Sequence, residues 1–214
     1  MRSNVSLIII ALALCGAGCA TNEGMVAALE PSNLKNAATT TPAIPPKMEI
    51  TPPMDRALER VTKKPFGIYI TTASSTVSPE RFHGYHTAVD FEAFDSEKDT
   101  DVPVRTICAG PLLEKEWTAG YGGVAVQKCQ LDGQTVTIIY GHIKLASVSR
   151  KVGQQMEQGE QLAILGKGYS TETDGERKHL HLGIHKTGVI NIVGYVQNKA
   201  SLVQWLDVRT FLTP

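Results

Sequence analysis

A segment near the C-terminal end alternates between two kinds of side chain. From His179 to His185, histidines occupy three of the odd-numbered positions, and leucine or isoleucine occupies every even-numbered one. Successive side chains of a β-strand point to opposite faces, so this alternation predicts a strand. One face of the strand carries imidazole groups, and the other packs in the core.

Two other groups of residues could complete a metal site with this strand. His86 is followed four residues later by Asp90, and His142 stands alone between them and the strand. A catalytic zinc takes three protein ligands from His, Asp or Glu and leaves its fourth position to water. His86, Asp90 and either His179 or His181 would make such a set. His142 and the remaining histidine would then be free to act on a substrate.

The spacing of His86 and Asp90 requires a bend in the backbone. Four residues of a straight strand span ~13 Å, which is too far for two side chains to share one metal through bonds of about 2 Å. Ala88, between them, tolerates β and bridge conformations but adopts positive φ only at a cost. The alternative interpretation is that Asp90 is a turn carboxylate and His86 a surface residue.

Two further histidines compete for the ligand role. His83 precedes His86 by three residues, but the residue four positions after it is Thr87 rather than a carboxylate. We therefore interpret His83 as a groove-edge or surface residue. His185 shares a strand face with His181 but lies further along the sheet, and we interpret it as a rim residue.

The order of these motifs resembles that of the lysostaphin-type zinc endopeptidases of peptidoglycan, a duplicated-hybrid-motif peptidase family. Those enzymes carry HxxxD, Y-x-H-[LI] and HxH, which three segments match here in the same order: His86 to Asp90, Tyr140 to Ile143, and His179 to His181. The similarity extends over roughly Phe66 to Leu212 and includes the glycine-rich stretch Gly120 to Gly123. Related enzymes usually have glycine where this chain has Ala88.

The resemblance implies a fold, a cofactor and a set of roles. The fold would be mostly β, with antiparallel sheets forming a groove and short helical segments at the ends. One Zn²⁺ per domain would be held by His86, Asp90 and His181. His142 would orient the attacking water or take its proton, and His179 would stabilise the oxyanion or protonate the leaving amine.

The implied activity is that of a zinc metalloendopeptidase acting on the stem peptides and cross-links of bacterial peptidoglycan. The alternative is a catalytically silent binding or regulatory module of the same fold that activates another cell-wall hydrolase. Degenerate relatives of that kind typically lack zinc ligands, whereas this chain keeps all five expected residues. A purely structural envelope lipoprotein would leave His142 unexplained.

The N-terminal residues predict export. A positively charged start, an apolar stretch over residues 7–15 and small residues after it are typical of a secretory signal, which we assign to residues 1–18. The apolar stretch is roughly half the ~20 residues that a membrane-spanning helix needs. Its end resembles a bacterial lipobox with Cys19 as the lipid acceptor, which predicts a membrane-anchored lipoprotein of the cell envelope. Plain cleavage near Ala20 is the alternative.

Residues 19–61 are rich in proline, alanine and threonine and predict a spacer that cannot bury a core. A short helical segment is expected within Met54 to Lys64, and the peptidase domain would occupy residues 62–214. Lysine plus arginine and aspartate plus glutamate both total 21, so no net charge indicates a nucleic-acid partner.

Beyond Pro65, short β-type runs alternate with glycines and polar turns. Asp132 and Gly133 between two runs predict a hairpin turn, because both central positions of such a turn need positive φ. Leu202 to Phe211 predicts a short helix or turn. The candidate strands are residues 66–71, 88–93, 102–107, 112–117, 124–129, 135–140, 161–165, 179–185 and 189–195.

Cys108 and Cys129 lie almost symmetrically about the turn-rich segment Ala119 to Gly123. In a hairpin centred on that segment they would be cross-strand neighbours, and disulfides persist in exported proteins. We therefore predict a disulfide, with two buried free thiols as the alternative. Metal binding by these cysteines lacks the support of a CxxC spacing.

Two charged segments lie near the motifs, at residues 94–101 and 172–178. The second replaces the compact Ser-Thr-Gly-Pro that relatives usually have before HxH. We interpret both as solvated surface segments. The alternative is that they line the groove and alter which cross-link is accepted.

Overall fold

The computed structural model describes residues 49–213. The predicted signal peptide, Cys19 and the first part of the predicted spacer lie outside this range. Across the described residues, no helix has the length and apolar character needed to cross a membrane.

The described part of the chain forms twelve short strands and six single or double turns of 3₁₀ helix. The strands are β1 (Tyr69–Ile70), β2 (Gly84–His86), β3 (Ala88–Glu92), β4 (Pro103–Arg105), β5 (Gly110–Thr118), β6 (Gly122–Leu131), β7 (Gln134–Gly141), β8 (Gln155–Met156), β9 (Gln161–Ile164), β10 (His179–His185), β11 (Tyr195–Val196) and β12 (Trp205–Leu206). The 3₁₀ helices are Ala57–Arg60, Asp95–Glu97, Leu145–Ser147, Thr171–Thr173, Lys199–Gln204 and Val208–Phe211. The fold is therefore mostly β, as expected.

Three antiparallel sheets contain these strands. The largest has the order β12-β10-β7-β6-β5-β8, and β3 also pairs with β10. The smaller ones have the orders β1-β2-β11 and β4-β9. Within the largest sheet, His181 of β10 lies opposite Asp90 of β3 and also opposite Gly141 of β7. The strand register thus places His142, which follows Gly141, close to Asp90 and to the HxH strand.

The alternation along β10 produces the predicted division between core and site. Leu180, Leu182 and Ile184 are buried in the main hydrophobic core. His179 and His181 lie on the other face and are also buried, at 2% and 4% exposure. Burying three aliphatic side chains on one face fixes the register, because a slip by one residue would exchange the two faces.

The chain bends at Thr87, as the spacing of the HxxxD motif requires. β2 ends at His86 and β3 begins at Ala88, and the two strands belong to different sheets. The Thr87 amide donates to the Gly194 carbonyl, and its hydroxyl donates to the Val193 carbonyl at 2.7 Å. Ala88 lies in extended β3, so the bend needs no glycine at that position.

Most predicted strands are present, at 179–185 with the predicted ends and elsewhere with shifted ends, but the strand predicted for residues 189–195 is wrong. Only Tyr195 of that segment pairs, in β11. The Thr187 hydroxyl accepts from the Val189 amide, and the Asn191 side chain accepts from the Val193 amide. These local bonds occupy amides that a strand would offer to its neighbour. The Asp132–Gly133 turn is confirmed, with φ values of 47° and 75°.

Residues just before the sheets complete the core. Ile50, Met54 and Ala57, which the sequence places in the spacer, are buried in the main core. The expected helical turn is present at Ala57–Arg60. The Lys64 carbonyl then accepts from the amide of Asp90, so this segment supports β3 directly.

Cys108 and Cys129 form the predicted disulfide, with their Cα atoms 6.1 Å apart. Cys129 lies in β6, and Cys108 precedes the paired strand β5. Closing a loop of this length stabilises a fold by about 3 kcal/mol in the chain-entropy account. The bond lies in the main core and leaves the metal chemistry to histidine and aspartate.

Candidate metal centre

Three side-chain atoms from β2, β3 and β10 converge on one point. His86 Nε2 lies 3.3 Å from Asp90 Oδ1, and His181 Nδ1 lies 3.2 Å from the same oxygen. The two nitrogens are 3.2 Å apart. Bonds of about 2.0–2.1 Å to a tetrahedral zinc place its ligand atoms about 3.3 Å from one another. The distances therefore fit a zinc site.

The hydrogen bonds on the far side of each ring determine which nitrogen carries the proton. His86 Nδ1 lies 3.3 Å from the Pro65 carbonyl, which can only accept, so Nδ1 donates. The Tyr121 hydroxyl donates to the Ile192 carbonyl and therefore accepts from His181 Nε2, 3.1 Å away. Both rings consequently direct a lone pair towards Asp90, which is how such partners orient metal-binding histidines.

The electrostatics of these residues match a cation. Burial lowers the pKa of His181 to about 4, so its ring is neutral at pH 7. Burial alone would raise the pKa of Asp90, but the neighbouring side chains, His179 first among them, hold it well below its usual range, so Asp90 is an anion. Asp90 Oδ1 is buried and, among the described residues, has no hydrogen-bond partner. Two ring nitrogens with free lone pairs and a carboxylate oxygen repel one another at these distances unless a cation lies between them.

The two other predicted site histidines stand beside this set. His142 follows β7 with φ of 62°, an uncommon conformation for a residue with a side chain, and its ring lies 4.3 Å from that of His179. Burial lowers the pKa of His142 well below its usual value. His179 Nδ1 donates to the Arg177 carbonyl, and its Nε2 lies 3.3 Å from Asp90 Oδ2.

A cavity of about 330 Å³ opens over these residues. On its wall, the ring of Phe82 stacks on that of Tyr195. Lys64 also lines the cavity and forms a buried ion pair with Glu80 at 2.6 Å. The site therefore faces a cavity of mixed aromatic and charged character.

The remaining histidines lie outside the ligand set. His83 is exposed at the cavity edge, where it contacts the Tyr69 hydroxyl and the Gln197 side chain. His185 is buried and packs against Trp205, with centroids 4.8 Å apart. His83 therefore lies at the groove edge as predicted, whereas His185 is a packed residue rather than a rim residue.

The two charged segments behave differently. Residues 94–101 are mostly exposed, as interpreted from the sequence. Within residues 172–178, however, Arg177 is buried, and its Nη2 donates to Asp90 Oδ2 at 2.8 Å. The solvated interpretation is wrong for this segment: Thr173 and Glu176 are buried as well, and Glu176 and Arg177 line the cavity, as in the alternative interpretation. Extending the alternation of β10 back by two positions would have placed Arg177 on the same face as His179.

Tyr121 is a second residue whose role the sequence did not reveal. It belongs to the glycine-rich stretch after β5, and its ring passes directly over Gly141. A Cβ at Gly141 would lie 2.4 Å from the Tyr121 ring. The glycine therefore makes room for the hydroxyl that orients His181.

Comparisons with known proteins place the chain among relatives. Residues 84–192 of the 214 match the model described as peptidase family M23, whereas the sequence has no significant match among curated proteins. Similar solved structures include CbpA from L. salivarius REN (22% identity, 70% of this chain and 93% of that chain covered, TM-score 0.41). Others are LytU (21%, 72% and 90%, 0.45) and the SpoIIIAH–SpoIIQ complex (19%, 77% and 100%, 0.49). The family model spans about half of the chain and includes every ligand and catalytic candidate, so the chain belongs to peptidase family M23.

Proposed function

We propose that this chain is an exported zinc-dependent endopeptidase that hydrolyses peptide cross-links in bacterial peptidoglycan. Membership of family M23 makes it a peptidoglycan-related hydrolase or a degenerate module of that fold. The observation that favours the enzyme is the convergence of three atoms that can bind a metal, from His86, Asp90 and His181, beside two further histidines. A degenerate module has no need to keep all five.

We assign a role to each of these residues from its surroundings. His86, Asp90 and His181 would hold the zinc, which when bound would supply the Lewis acidity that acidifies a water molecule and polarises a carbonyl group. His142 is neutral at pH 7 because burial lowers its pKa, so it can orient that water or accept its proton. His179 Nδ1 donates to the Arg177 carbonyl, so Nε2, which lies 3.3 Å from Asp90 Oδ2, is the atom through which His179 would act on the oxyanion or the leaving amine.

The proposal is tested by metal removal. We expect the purified protein to contain about one zinc per chain and to cut defined cross-linked muropeptides, which mass spectrometry of the products measures. Chelation should stop cleavage, and added Zn²⁺ should restore it. His185→Ala is the matched control, because this histidine shares the strand face of His181 but lies against Trp205. It should keep both zinc and cleavage.

A wild-type protein that holds no zinc and cuts no muropeptide would contradict the proposal. The silent binding or regulatory module would then replace it.

The place of action is part of the same proposal. We expect the mature chain to carry a lipid on Cys19 and to partition with membranes, since small residues precede this cysteine in a lipobox-like segment. Cys19→Ser should release the protein to the aqueous phase of a detergent partition. Equal partition of both forms would remove the lipoprotein assignment and leave plain export.

A further inference from the structure

Arg177 joins the proposed metal ligand Asp90 to a second buried carboxylate. Its Nη2 donates to Asp90 Oδ2 at 2.8 Å, and its Nε lies 3.0 and 2.9 Å from the two oxygens of Glu92. Arg177 and Glu92 are only 7% and 8% exposed. Asp90 and Glu92 are two residues apart on β3 and therefore point to the same face.

The two oxygens of Asp90 have different partners as a result. Oδ1 faces His86 and His181, while Oδ2 is held by Arg177 and lies 3.3 Å from His179 Nε2. A hydrogen bond to Oδ2 occupies one of its lone pairs and fixes the plane of the carboxylate, which favours metal binding through Oδ1 alone. Glu92 in turn fixes the guanidinium, whose planar fork contacts both carboxylates.

We propose that Arg177, anchored by Glu92, is a positioning residue that makes Asp90 a single-oxygen metal ligand. This inference rests on the proposed function, because it concerns the same metal site. The reason is geometric rather than a matter of net charge: a positive group near a divalent cation weakens metal binding by repulsion, so Arg177 aids binding only through orientation. Partners that orient metal ligands typically contribute 10- to 100-fold in metal affinity.

Arg177→Lys separates orientation from charge. Lysine keeps the positive charge but has one compact ammonium group, which cannot bridge two carboxylates in one plane. The backbone carbonyl that holds His179 is unchanged by this substitution. We expect Arg177→Lys to weaken zinc binding by roughly 10- to 100-fold, measured by competition with a coloured chelator.

A double variant provides a second test that does not leave Glu92 as an unpaired buried charge. Arg177→Met combined with Glu92→Gln removes both charges of the pair while Asp90 remains. It should also weaken zinc binding by at least 10-fold. Circular dichroism of the metal-free proteins establishes that each variant is folded.

The control is Arg81→Lys. Arg81 also binds carboxylates beside the cavity, those of Glu176 and Asp174, but contacts no proposed ligand. It should bind zinc as the wild type does.

Substitution of the metal by cobalt gives a measurement that would not change if Arg177 only stabilised the fold. The visible absorption of Co²⁺ weakens when its coordination number rises above four. We therefore expect weaker absorption in Arg177→Lys than in wild type, because the freed Oδ2 of Asp90 can also bind.

The outcomes are distinguishable. Wild-type zinc affinity in both Arg177→Lys and the double variant, with an unchanged cobalt spectrum, would overturn the positioning role and leave the proposed function intact. A wild-type protein without zinc would overturn both.

Discussion

Replacing His181 with alanine is expected to abolish zinc binding and hydrolysis together. The substitution leaves His86 and Asp90 as the only protein ligands of the proposed set, and catalytic zinc sites use three. The lost nitrogen is also the one that Tyr121 orients towards the other two donors. Zinc content should fall from about one per chain to near zero, as measured by elemental analysis after gel filtration.

The strand of His181 provides the comparisons that make this result specific. His185→Ala should keep its zinc, because His185 lies on the same face but outside the converging group. His179→Ala should also keep it. If His179→Ala lost its zinc and His181→Ala kept it, the assignment of ligand and catalytic residue within the HxH motif would be reversed.

Replacing either His142 or His179 with alanine is expected to lower the rate of cleavage without loss of zinc. Neither ring belongs to the group of three converging donors, so zinc should remain near one per chain. Loss of a general acid, base or oxyanion donor typically lowers a rate by about 10² to 10⁴. Muropeptide cleavage should therefore fall by that factor in each variant, measured under single-turnover conditions.

The two rings lie 4.3 Å apart and act on the same reacting groups in our proposal. The double variant should consequently lose less than the product of the two single effects, since residues that act as a unit are not additive. A variant that lost its zinc along with its activity would instead make that histidine a ligand. Full activity in either single variant would remove it from the mechanism.

The strand that carries HxH could be predicted from the sequence because one rule governs it. Period-two alternation of histidine and aliphatic residues fixes both faces of β10, and the core face is buried as expected. The bend in the HxxxD motif followed from distance alone. Neither argument needs knowledge of the rest of the chain.

The same alternation, continued back by two positions, places Arg177 on the face of His179, but it does not reveal the partner Glu92. A charged residue in a polar segment is most often solvated, and only the pairing of β3 with β10 brings Glu92 opposite His179. Local hydrogen bonds also replace the strand predicted at 189–195, where the Asn191 side chain accepts from the Val193 amide. Such contacts depend on strand pairing and on side-chain hydrogen bonds, which the periodicity of a sequence does not specify.

Because the chain bends at Thr87, metal binding would also affect the stability of the whole domain. His86 belongs to the three-stranded sheet, whereas Asp90 and His181 belong to the seven-stranded one. A cation held by all three would tie the two sheets together, and a ligand that binds only the folded state adds its binding free energy to folding. At free zinc one hundred times the dissociation constant, that addition is about 2.7 kcal/mol. Metal supply in its compartment would then control how long the protein survives as well as how fast it works.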